Sequence, residues 1–120
     1  MTTLTPAQLD ILCHMLGIRD PYVRCPVPYR DYYCACPGDP DMKALEEARM
    51  VFLYSTQGGY EWFQTTDAGK AAARARHRAI RKPPAARRYR SFLGLRDVLP
   101  DLTFWEFLTS PEFAVARRIA

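Results

Sequence analysis

The sequence predicts an α+β fold: helices around a single β-hairpin, with a helical extension at the C-terminal end. Three observations carry this. Apolar residues recur at helical spacing behind cap signals at Thr5, at Asp39 or Asp41, and at Thr66 or Asp67. Two aromatic, β-branched runs flank a glycine pair, the signature of a hairpin. Ten prolines in 120 residues divide the chain into short elements. The 48% hydrophobic and 25% charged content excludes a mostly disordered chain and a disulfide-dense miniature. The length implies one domain with a modest core, burying about 65% of its unfolded surface.

The first helix opens with Leu4 before the cap, Thr5 as N-cap and Pro6 at the first helical position, where a missing N–H costs nothing. Leu9, Leu12, Cys13 and Leu16 form its apolar stripe and Gly17 closes it. Pro21, Pro26, Pro28, Pro37 and Pro40 forbid a long helix over residues 18–40, so the Tyr29–Cys34 run is read as a short helix. A further helix is expected over 41–49 with Met42, Leu45 and Ala48 inward, then a strand over 50–54, a five-residue turn Ser55–Gly59, and a second strand over 60–65. The next helix, 67–82, places Ala68, Ala72, Ala75 and Ala79 on a packing face and Lys70, Arg74, Arg78 and Arg81 on a solvated one. Pro83-Pro84 stops it, and residues 83–90 read as a basic connector. In the tail, 91–120, Phe92, Leu93, Leu95, Val98 and Leu99 form an apolar cluster, Leu102–Leu108 a short helix capped by Thr103, and Ser110-Pro111-Glu112 the start of a last helix burying Phe113, Ala116 and Ile119.

Net charge is +4, but its layout is uneven. Residues 1–67 sum to −4, residues 68–96 to +10 without one acid, and residues 97–120 to −2. A basic block of this kind suits a polyanion such as DNA, or an acidic protein surface. The plainer reading is that an arginine-rich helix neutralises acidic neighbours.

No apolar run reaches the roughly 18 residues of a membrane helix. No basic-then-apolar leader follows Met1, so a cytoplasmic, reducing setting with free thiols is expected and no membrane contact. Cys25, Cys34 and Cys36 with His14 are zinc ligands by type, but no C-x2-C pair exists, so no metal or cofactor is expected and Cys13 is read as a core residue. No P-loop, G-x-G-x-x-G, G-x-S-x-G or H-E-x-x-H pattern occurs, and no nucleophile, base and orienting group can be assembled. The chain therefore reads as a non-enzyme.

Helix, short helix, helix, strand, turn, strand, helix is the layout of winged helix-turn-helix proteins. Leu4-Thr5-Pro6-Ala7-Gln8-Leu9 opens the first helix, Ala44–Val51 runs into the wing, and Thr65-Thr66-Asp67-Ala68-Gly69 closes it. The T-x-x-G step resembles regulators of the MarR and PadR type, in which the threonine caps the following helix. The resemblance covers residues 4–80, and the small size also resembles phage or prophage proteins of this type. It implies a winged-helix domain at 1–82, the connector at 83–90 and a helical extension at 91–120. It also implies that the helix before the wing enters the major groove. Here that helix carries Asp41, Glu46 and Glu47 against Lys43 and Arg49, and the wing tip has no base.

Two functions follow. The first is a small DNA-binding regulator contacting phosphates through Lys70, Arg74, Arg78, Arg81, Lys82, Arg87, Arg88 and Arg90, with Tyr89 as a stacking platform. The second is a phage-type inhibitor, anti-CRISPR-like or host-takeover in character, binding a protein through Glu46, Tyr60, Trp62 and Trp105. The tail aromatics Phe104, Trp105, Phe107 and Phe113 either cap the core or form a homodimer seam.

Overall fold

A computed structural model of the chain describes residues 3–120, with no cis peptide bond among them. The chain divides into two units. The first runs through Arg19 and resumes over Val27–Ala79; the second combines Asp20–Pro26 with Ile80–Ala120. No helix among the described residues is long and apolar enough to cross a membrane.

The first unit is α+β. Its elements are α1 (Pro6–Leu16), β1 (Tyr33–Ala35), α2 (Pro40–Glu47), β2 (Val51–Gln57), β3 (Tyr60–Thr65) and α3 (Asp67–Ile80). Thr5 and Gln8 form a reciprocal capping box at the start of α1. Gly17 ends α1 at φ 75°, and Ile18 N–H returns to the Cys13 carbonyl, a Schellman closure that buries Ile18. The remaining carbonyls of the last turn are taken by the following segment: Tyr29 N–H donates to Leu16, Tyr32 N–H to Met15 and the Arg30 guanidinium to His14. This is why Tyr29–Cys34 is not the expected short helix. Its amides serve α1, and the chain continues extended into β1, which pairs antiparallel with β3.

The sheet order is β1-β3-β2, all antiparallel, so β2 is an edge strand. The turn between β2 and β3 is Gly58-Gly59 alone, both at positive φ (61° and 81°), rather than five residues; β2 extends to Gln57. A bulge between Leu53 and Ser55 leaves Tyr54 unpaired. Phe52, Leu53 and Tyr54 are all exposed. The core of this unit is Leu12, Met15 and Leu16 of α1, Met42 and Leu45 of α2, Val51 and Phe63 of the sheet, and Ala73 of α3. Asp39, rather than Asp41, caps α2 through the Asp41 and Met42 amides.

The packed face of α3 is Gly69, Ala73 and His77, at a spacing of four. Ala68, Ala75 and Ala79, expected there, are exposed. Close approach decides this. Thr66 N–H donates to the Met50 carbonyl and its hydroxyl to the Arg49 carbonyl, which draws the start of α3 onto that strand. Gly69 then lies against Met50, where a Cβ would overlap the carbonyl oxygen. The buried Cys13 thiol donates to the Ala73 carbonyl one turn further on.

The second unit is helical: α4 (Pro84–Arg96), α5 (Phe104–Thr109), a 3-10 turn (Pro111–Phe113) and α6 (Ala114–Ile119). Residues 84–90, read as connector from the sequence, are the first half of α4. Pro83 stops the preceding helix, while Pro84 takes the first position of the next, where its fixed φ is already helical. Thr103 caps α5 through Glu106 N–H. Phe92, Leu102 and Phe107 form the buried centre, with Phe104 and Phe113 packed on it. Ring centroids of Phe92–Phe104, Phe92–Phe107 and Phe107–Phe113 stand 5.2, 5.9 and 5.9 Å apart. Phe104, Phe107 and Phe113 of the tail thus join a core within this unit, while Trp105 stays outside it. Ile119, Val98 and Leu99, expected inside, are exposed.

Candidate nucleic-acid interface

The eight basic residues singled out in the sequence have different fates. In the first unit, Lys70 lies 3.6 Å from the Asp31 carboxylate, whose other oxygen holds the Thr65 amide and hydroxyl. Arg76 donates to Asp10 at 2.8 Å, and that hydrogen bond raises its pKa. Both cations are partly neutralised. Arg74 and Arg78 are exposed one turn apart on α3.

In the second unit, Arg90 stacks over Tyr22 at 4.7 Å and pairs with Asp20 at 3.7 Å. Lys82 is exposed, and its amide donates to the Pro21 carbonyl at 2.7 Å. Tyr89, read as a stacking platform, meets Phe104 edge-on at 5.2 Å and so belongs to the aromatic core. The other three, Arg81, Arg87 and Arg88, converge. They share a cavity of about 480 Å³ with Arg24, Arg117, Arg118, Pro84 and Ala120.

Six arginines and no aspartate or glutamate line this cavity. They come from four places in the second unit: the 20–26 segment, the residue that follows α3, the start of α4 and the last turn of α6. Backbone oxygens hold them. Arg87 donates Nε–H to the Ala120 backbone oxygen at 3.1 Å and Nη1–H to the Lys82 carbonyl. Arg117 donates to Ser110 at 2.8 Å and to Phe107. Arg24 donates to the Arg118 carbonyl at 3.2 Å. The peptide carbonyls of Lys82, Phe107, Ser110 and Arg118 orient these guanidiniums without cancelling their charge. Arg87 is only 7% exposed, and its pKa is pushed down, first by burial and then by the neighbouring charges of Arg81, Arg24 and Arg88. Pro84 adds the positive end of α4, which no side chain caps. Concentrated positive charge, fixed donors and a concave wall together suit a phosphate group.

Arg24, Arg117 and Arg118 were not singled out in the sequence. They sit in stretches whose net charge is negative, and only the folded chain brings them to Arg87. The residues read as protein-binding are dispersed. Glu46 is exposed on α2, Tyr60 is exposed at the start of β3, and Trp62 is half-buried beside Tyr32, with ring centroids 6.1 Å apart. Trp105, in the second unit, is 73% exposed. Cys25, Cys34 and Cys36 are exposed, and no group of three metal-ligating side chains gathers among the described residues. The chain matches no protein-family model, no curated protein and no solved structure.

Proposed function

We propose that the protein is a small non-enzymatic DNA-binding protein that grips phosphates through the arginine cluster of its second unit. The observation that carries this is the cavity lined by six arginines and no acid. On this reading the first unit is a winged-helix-type scaffold, its order of strands and helices being compatible with one. Its α2 does not act as a reading helix, because Asp41, Glu46 and Glu47 repel phosphates and the Gly58-Gly59 tip offers no cation to a minor groove. Contact is therefore independent of sequence and positions the protein on DNA, as phosphate contacts do. Regulation of transcription would follow from occupancy alone.

Arg88 and Arg118 test this best, since neither side chain carries a structural hydrogen bond among the described residues. Anisotropy with a mixed-sequence duplex should give sub-micromolar binding at about 50 mM salt. Four phosphate contacts predict a slope of log K against log salt near −3.6, hence roughly a hundredfold weaker binding at about 200 mM. The Arg88→Glu/Arg118→Glu variant should lose it. Absence of binding at the lower salt would overturn the reading and direct the search to an acidic protein partner.

A further inference from the structure

We infer that the arginine cavity prefers a terminal phosphomonoester, such as the phosphorylated end of a nucleic-acid strand, to the internal diesters it meets on a duplex. The inference rests on the proposed function and names its ligand more narrowly.

Three features separate an end from a backbone. The first is shape. A duplex is convex and its phosphates follow one another along a rail, which an exposed row of cations on one helix would match. Here Arg24, the adjacent Arg87 and Arg88 of α4, and Arg118 come from three segments to one concave site. A chain end enters such a space; a continuous strand has to bend out of it. The second is burial. Arg87 lines the cavity while 7% exposed, so its contribution is felt by a group that goes in, not by one that passes over the rim. The third is charge. An internal diester brings one negative charge and two free oxygens. A monoester brings about −1.5 to −2 at neutral pH and three acceptor oxygens. The second is the better match for guanidiniums held by backbone oxygens with no aspartate or glutamate side chain among them.

The lining is otherwise Pro84 and Ala120, with no aromatic ring to hold a base. Recognition is therefore of the phosphate and not of the nucleotide's identity. The same chemistry has two sources, a strand end and a free mononucleotide, and the cavity volume of about 480 Å³ admits either.

The experiment compares fluorescent oligonucleotides of one sequence bearing a 5′-phosphate or a 5′-hydroxyl, single-stranded and as blunt duplexes, with the full chain. The phosphorylated end should bind at least tenfold tighter. The preference should vanish in Arg118→Glu, whose fold is checked by circular dichroism, and should shrink from pH 7.5 to 5.5 as the monoester takes up its second proton near pH 6. Displacement by adenosine or cytidine monophosphate at concentrations matching the strand would support the assignment with the free mononucleotide as source. Displacement by the phosphorylated strand alone would support it with the strand end as source. Equal binding of phosphate and hydroxyl ends, with duplex binding retained, would overturn this inference and leave the DNA reading intact. Binding of neither would remove both.

Discussion

Gly69→Ala is the sharpest test of how the first unit is assembled, because the usual effect of adding a methyl group to a helix should reverse there. Alanine is the better helix former by up to about 1 kcal/mol. At residue 69, however, the new Cβ would overlap the Met50 carbonyl oxygen and come 3.0 Å from the carbonyl carbon and 3.3 Å from Thr65 Cβ. These are backbone and strand atoms that cannot swing aside, so α3 must retreat. Overpacking of this kind costs about 1–3 kcal/mol. Retreat also weakens the Thr66 amide bond to Met50 (3.0 Å) and the Thr66 hydroxyl bond to Arg49 (2.6 Å), at about 1 kcal/mol net each. With the propensity gain subtracted, the loss is about 2–4 kcal/mol, which at an m-value of about 1–2 kcal/mol/M lowers a urea midpoint by at least about 1 M. The assay is Trp62 fluorescence in a Trp105→Phe background, since the chain has two tryptophans and Trp105 lies in the other unit. Gly94→Ala is the control. Nothing lies within 4 Å of a Cβ there, in the last turn of α4, so the same change should stabilise the second unit by about 0.5–1 kcal/mol. A Gly69→Ala midpoint equal to or above that of the parent would refute the close approach of α3 to Met50.

Two further outcomes follow from the structure. Phe107 is fully buried among Phe92, Phe104 and Phe113, so Phe107→Ala should destabilise the second unit by about 3–5 kcal/mol, read as the loss of its helical signal at lower denaturant. His14 has its pKa lowered, first by burial and then by Arg30 and Arg19, whose guanidiniums stand 3.4 and 3.3 Å from Nδ1. A depressed folded-state pKa means that the unfolded chain binds the proton more readily. Stability is then full above the unfolded value of about 6.5 and falls as pH drops through it. Thermal scans of the parent and of His14→Gln between pH 8 and pH 5 should show a shallower decline in the variant, and parallel curves would refute the assignment.

Local signals were the legible ones. Thr5 with Gln8, Asp39 before Pro40, Gly58-Gly59 and Thr66 three residues before Gly69 each act over a few positions, and each marks an element boundary in the fold. What escaped the sequence depended on distant partners. Three-residue β1 exists because Tyr33–Ala35 meets Glu61–Phe63, nearly thirty positions on. The buried row of α3 contains a histidine, so alanine counting selects the wrong face. Pro83-Pro84 reads as a stop although its second proline starts α4, by the geometry that places Pro6 first in α1. For the candidate site, half of the cavity's arginines were visible as a basic block. Arg24, Arg117 and Arg118 were not, because the long stretches that hold them, 1–67 and 97–120, sum to a negative charge and neither contains a run of bases.

The outer hairpin strand has a consequence for handling this protein at high concentration. Val51–Gln57 carries no charge, no proline and no glycine, and its Phe52-Leu53-Tyr54 stretch is open to solvent at the sheet's edge. Such a segment has the composition of a self-stacking zipper. What interrupts it is the slipped residue at Tyr54, which bends the ribbon and spoils its fit to a flat template. The same kink that breaks the pairing ladder therefore serves as the strand's gatekeeper. Without it the strand would be a flat, uncharged edge of the kind that templates pairing with another chain.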